Sequence, residues 1–187
     1  MAQWVTQLGN NMPIIGQPSM MECWITCYQM ILKANGLNWS IPQIEGKLIA
    51  GGFGKAKQAR MTGIGDEDLM PCANALKMGA NSTMSINTLS GLKIMLKLCG
   101  PLWVAGRFPD EQNVYRPHVV TVIGVDEERK QVCMVNPWLQ HMFDTPSKGW
   151  IDFSNFQPSI KPTLSTPGSV QYLAPVQAFA LAVSGAN

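Results

Sequence analysis

Charge is scarce in this sequence: 14% of its 187 residues are charged, and the formal net charge is +2. With 46% hydrophobic residues beside so few charges, the chain is globular with a sizeable core, and a disordered chain is excluded. The basic residues are scattered and form no Lys/Arg run, which excludes a nucleic-acid surface. Long apolar runs are missing as well. None approaches the ~18–20 residues that a membrane-crossing helix needs, so no membrane partner is expected. The start, MAQWVTQLGNNMPII, has no basic stretch leading into an apolar block. No signal peptide is therefore expected, and synthesis in the cytoplasm is. Regular cysteine spacing is absent too: the 5 cysteines stand beside 12 methionines, the pattern of a chain made in a reducing compartment and not of a disulfide scaffold. Gly51, Gly52 and Gly54 precede Lys55, but Ala56 follows and the spacing is wrong for a phosphate loop, leaving a turn. Internal repeats and low-complexity segments are also lacking.

What is present falls into two kinds of pattern. Residues 1–22 are rich in Asn, Gly and Pro and read as a strand or loop leading inward. CWITCYQMILKAN then places Trp24, Cys27, Ile31 and Leu32 near helical spacing, with Gly36 as a stop. Ser40 precedes a second helix, IPQIEGKLIA, with Pro42 in its first turn. A third is expected through DEDLMPCANALKM, with Asp66 or a neighbour as cap and Gly79 as its end. A fourth, NTLSGLKIMLKLC, is broken by Gly100-Pro101. Beyond it the runs are β-branched or aromatic and short: LWVAGRF, HVVTVIGVD and KQVCMVNPW, the last two forming a hairpin around Asp126-Glu127-Glu128. GWIDF and the tail VQYLAPVQAFALAV supply further strands, and 154–168 reads as Pro/Ser-rich loop. Helices first and antiparallel sheet second make an α+β fold. One domain is expected, with a helical lobe of about 1–99 and a sheet lobe of about 100–187.

Histidine, the usual general base, occurs only twice, as His118 and His141. His118 heads an apolar strand, and Asn136 ends the strand that should pair with it, so a hairpin brings the two together. Cys23, at a helix N-terminus, would face them between the lobes. A thiol with a reference pKa of ~8.5 is only slightly ionised at neutral pH. A helix N-terminus and an imidazolium both favour its thiolate, giving an ion pair suited to nucleophilic attack. An Asn carbonyl oxygen on one ring nitrogen fixes the imidazole's orientation and tautomer. The Cys23 N–H and the amide of Gln17, six residues earlier, are candidate donors to an oxyanion. The competing reading keeps Cys23 as a buried packing residue, the commoner fate of a cysteine. His141 competes as base but lacks a following strand and an orienting partner. Asp126 and Asp144 compete with Asn136 as its partner, Asp126 reading as a turn residue. A zinc site from Cys23, Cys27 and a histidine lacks a second close ligand pair, so neither metal nor other cofactor is expected.

Gln17, five intervening residues and then Cys23-Trp24 opening a helix resemble the active-site segment of papain-like cysteine peptidases. His118 heading an H-x-V-x-x-I-G strand, and Asn136-Pro137-Trp138, are similar to that family's histidine and Asn-x-Trp segments. The resemblance covers roughly residues 12–140. It implies a papain-like fold, Cys23 as nucleophile, His118 as base, Asn136 as its orienter and Gln17 in the oxyanion hole. Trp24 would pack the helix start, and Trp138 would shield the Asn–His bond from water. Met20-Met21-Glu22 stands where animal and plant members carry Cys-Gly-Ser. Cys23 lies 95 residues before His118 and 113 before Asn136, short of the ~130–150 of secreted and lysosomal papains. The glycine pair Gly51-Gly52 would line the substrate cleft.

The compact layout, GQPSMMECW and GPLWVAG resemble bacterial papain-fold effector proteases and the peptidases that trim double-glycine leaders. That resemblance implies a delivered toxin or a processing enzyme, with a protein substrate cut after small residues such as Gly-Gly; a toxin would enter a target cell through a specialised secretion system and be restrained by a bound immunity protein in place of an inhibitory pro-segment. Two rivals stand beside it: an amidase, deamidase or transglutaminase using the same cleft, and a binding module on a catalytically idle papain fold.

Overall fold

LWVAGRF and HVVTVIGVD lack polar alternation, as strands covered on both faces do. The computed structural model bears this out; it describes residues 4–82, 86–109, 114–137, 147–160 and 169–172. In chain order the elements are β1 (Trp4–Val5), α1 (Gln7–Asn10), α2 (Cys23–Ala34), α3 (Ile41–Ala50), α4 (Ala56–Thr62), α5 (Asp66–Ala75), β2 (Gly79–Ser82), α6 (Leu89–Cys99), β3 (Leu102–Pro109), β4 (Tyr115–Asp126), β5 (Gln131–Asn136), β6 (Ser147–Asp152), α7 (Phe153–Ile160) and β7 (Ser169–Tyr172). One antiparallel sheet runs β2-β7-β3-β4-β5-β6, and β1 takes the β4 edge at Val125 and Gly124, beyond the end of β3.

The central strands separate two apolar clusters. Trp103, Val119, Ile123, Cys133 and Val135 pack with α2, α3 and α5. Leu102, Val104, Val120, Val122 and Val132 pack with Leu92 and Leu96 of α6 and Phe156 and Ile160 of α7. A bulge between Val122 and Gly124 breaks the alternation, which is why Val125 joins the α6 side while Ile123 faces α2. The α+β layout is as expected, but the two halves interpenetrate. β1 and β2 come from the first 99 residues and join the sheet, and α6 lies on the far side of that sheet from α2.

Helix ends show where sequence signals sufficed. Gly36, at φ 83°, lets its own N–H reach Lys33 O and the Leu37 N–H reach Leu32 O, closing α2. Ser40 and Gln43 form a capping box at α3, with Ser40 N–H donating to Gln43 Oε1 at 2.8 Å. The third expected helix ends earlier than its sequence implied. Lys77 adopts φ 54°, its N–H reaches Asn74 O and Met78 N–H reaches Ala73 O, so a lysine does what glycine usually does, and Gly79 opens β2. The expected loop from 154 is helical up to Ile160, because Phe156 and Ile160, one turn apart, bury against the sheet. Its remainder, 161–168, and the tail beyond Tyr172 lie outside the described residues. No helix among the described residues is long and apolar enough to cross a membrane.

Candidate active site

The N-terminus of α2 is fixed by its second residue. Trp24 is fully buried, edge-on to Tyr28 at 6.1 Å and to Phe53 at 6.4 Å. Its carbonyl accepts from the Trp103 indole N–H at 2.9 Å, so the first turn of α2 is bolted to β3. Cys23 therefore begins the helix at a set place, half-buried and unpaired with any other cysteine. The first N–H groups of a helix lack intrahelical acceptors and favour negative charge.

β4 supplies the other half of the site. Pairing with β5 starts only at Thr121, which leaves the Val119 edge to α2. Cys27 donates its S–H to Val119 O at 3.4 Å, and the Val119 N–H reaches the Cys23 sulfur. His118, the preceding residue, is buried opposite Gly106 of β3, with Phe108 edge-on to its ring at 6.2 Å. Its Nε2 lies 2.8 Å from Asn136 Oδ1. The amide oxygen is an acceptor only, so Nε2 carries the proton and Nδ1 is the basic nitrogen.

Gln17 is buried and belongs to the same assembly, since its backbone N–H donates to Pro137 O at 2.8 Å, next to Asn136. Its side-chain amide donates to Ser19 O at 2.8 Å and Met20 O at 3.0 Å. In this state the amide braces the turn leading into Cys23. Trp138, His141 and Asp144 lie outside the described residues. Asp126 ends β4, where its carboxylate accepts from the backbone N–H groups of Glu128 and Arg129 in the turn to β5.

Cys23 and His118 open into one cavity of about 510 Å³. Met20, Met21, Leu69 and Ile160 make its walls apolar, and Gly63-Ile64-Gly65 forms one side. The glycines at the cleft are thus Gly63, Gly65 and, on β3, Gly106, whereas Gly51 and Gly52 cap α3 and are not part of its wall. The sequence signal, the GIG of MTGIGDED, was there to be read. Among the described residues, no group of three or more His, Cys, Asp or Glu side chains gathers to hold a metal ion.

Burial dominates the electrostatics. It pushes the Cys23 thiol from 9.0 up to about 11, against backbone hydrogen bonds from Val119, Trp24 and Cys23 itself that favour the thiolate. It pulls His118 from 6.5 down to about 4, against the Asn136 hydrogen bond that favours the imidazolium. Burial thus favours the neutral form of each group taken alone, the thiol of Cys23 and the imidazole of His118.

The family described as papain-like cysteine protease AvrRpt2 matches residues 5–159. The chain belongs to that family. It is a papain-like cysteine protease, a hydrolase whose substrates are proteins. A C39-like peptidase from Bacillus anthracis, at 13% identity and a TM-score of 0.56, matches over 92% of this chain and 98% of its own, which shows the shared papain-like fold. No curated protein sequence matches.

The buried histidine makes this protease acid-sensitive in a calculable way. The unfolded chain binds a proton on His118 below pH 6.5, and the folded chain only below about 4. Stability should fall as pH drops through that window, by about 3 kcal/mol for this group, and gain nothing from it above pH 6.5. Urea midpoints measured between pH 4 and 7 should slope less in His118→Gln than in wild type; equal slopes would contradict the burial argument.

Proposed function

We propose that the chain is an endopeptidase working through Cys23, His118 and Asn136. The observation that carries this reading is the 2.8 Å contact of His118 Nε2 with Asn136 Oδ1, in a residue that opens into the same cavity as Cys23. His118 Nδ1 takes the Cys23 proton as sulfur attacks the peptide carbonyl, and the imidazolium so formed donates to the departing amine. Water then attacks the thioester, giving one proton to His118, which returns it to the thiol as the acid leaves. The Cys23 N–H stabilises the oxyanion. Gln17 joins it once its amide turns from the Ser19 and Met20 carbonyls.

Cutting after small residues such as Gly-Gly, delivery into a target cell and restraint by an immunity protein rest on the resemblance of QPSMMECW and GPLWVAG to effector proteases and leader peptidases. The apolar walls also accept a larger side chain near the scissile bond, so mapped cleavage sites decide the preference. Brief expression of wild type and Cys23→Ala in bacteria, followed by mapping of new protein N-termini, should give cleavages only with wild type. Identical maps, with altered glutamine or muropeptide, would replace the endopeptidase with the deamidase or amidase reading. Retention of no inhibitor by Cys23→Ala in its native host would count against the immunity partner.

A further inference from the structure

Glu22 stands immediately before Cys23, and its side chain is only 4% exposed. Glu22 makes no side-chain cap bond to the helix it precedes. Its carboxylate instead accepts from Arg60 Nε of α4 at 2.6 Å, and a second nitrogen of the same guanidinium donates to Glu45 of α3 at 2.9 Å. Three elements meet on one side chain. Arg60 also lies three residues before Gly63 of the cleft wall, so this fork ties the nucleophile's helix to the glycine loop.

We propose that Arg60 is a positioning residue for the nucleophile: its guanidinium clamps Glu22 between α3 and α4 and neutralises the anion that adjoins Cys23. The proposal rests on Cys23 being the working thiol. A buried carboxylate beside a forming thiolate opposes it, and a guanidinium held between two carboxylates cancels much of that field. The other groups facing Cys23 are His118 from β4 and Cys27 one turn along α2, while Asp66, Arg107 and Arg116 stand on the cavity walls. Arg60 is the cation that pairs directly with Glu22. Lysine reaches one carboxylate as a point charge but cannot fork to both, so Arg60→Lys should serve only in part.

Iodoacetamide labelling of Cys23 in the intact chain, followed by mass spectrometry at pH 7–9, reads the thiolate without needing turnover. In Arg60→Met the labelling rate should fall about tenfold at each pH, as a one-unit rise of the thiol requires. Arg60→Lys should fall between, and Arg60→Met/Glu22→Gln should return the rate close to wild type, because the buried anion next to Cys23 is gone. A merely structural arginine would lower the melting temperature of both Met variants and leave the rate where it was; that result, or failure of the Glu22→Gln rescue, overturns the proposal. The catalytic reading is judged separately in wild type, where Cys23 must label faster than Cys133.

Discussion

Cys23→Ala and His118→Ala are each expected to lower kcat/KM by about ten-thousand-fold, and the double variant by no more than either alone. The reason is that neither group acts singly. Without the imidazole, nothing takes the proton of a thiol that burial pushes up to about 11, and the nucleophile is not generated at neutral pH. Without the sulfur, His118 has no proton to take and the cavity only binds. Peptide hydrolysis measured with quenched substrates, once cleavage sites are mapped, gives the three values directly. Additive losses would mean that the two residues serve different steps, and the mechanism above would fail. His118→Ala also strips Asn136 of its 2.8 Å partner, so the circular dichroism of each variant must match wild type before rates are compared.

Gly106→Val is expected to damage stability and activity together. Gly106 pairs with His118 across β3 and β4. A Cβ on it would lie 2.5 Å from the Ser159 carbonyl oxygen and 3.0 Å from the edge of Phe108. The first of these is backbone near the C-terminal end of α7 and cannot swing aside, so α7 or β3 must move. Overpacking of this kind costs about 2 kcal/mol, which in a domain of this size lowers Tm by about 4–8 °C. The second contact pushes Phe108, the ring packed against His118, and so displaces the base. At temperatures where the variant is folded, kcat should fall about tenfold. Gly149→Ala, where an added Cβ meets nothing within 4 Å, is the matched control and should change neither quantity. An unchanged Tm in Gly106→Val would show that α7 yields without cost.

The chemistry of this site was legible because its residue types are rare or strongly flagged. Two histidines left little choice of base, and a hairpin with Asp126 in its turn predicted that His118 and Asn136 would meet. Cys23 was marked by the helix it opens. Less legible was everything set by contacts distant in sequence. Glu22 stood out in the sequence only as part of the segment that replaces Cys-Gly-Ser, because its partner Arg60 lies 38 positions away and belongs to a helix that no periodicity announced. The short α7 was hidden by Ser154, Pro158 and Ser159, since only the packing of Phe156 and Ile160 on the sheet makes those eight residues helical. Lys77 ends α5 in a conformation that sequence rules reserve for glycine and asparagine. The glycine loop of the cleft was displaced in the reading from 63–65 to 51–52 because both are turns, and only the cavity tells which one faces Cys23.

The two sulfurs on Val119 have a consequence for how a substrate is held. Many peptide-binding proteins add the guest as one more rung on an open sheet edge. Here β3 occupies one flank of β4 beside His118, and Cys23 and Cys27 occupy the Val119 amide and carbonyl on the other. The Val119 rung next to the base is therefore taken. An extended guest chain in this cavity would then take its grip from across the cleft, on Gly63-Ile64-Gly65, with the sheet as anvil more than as template.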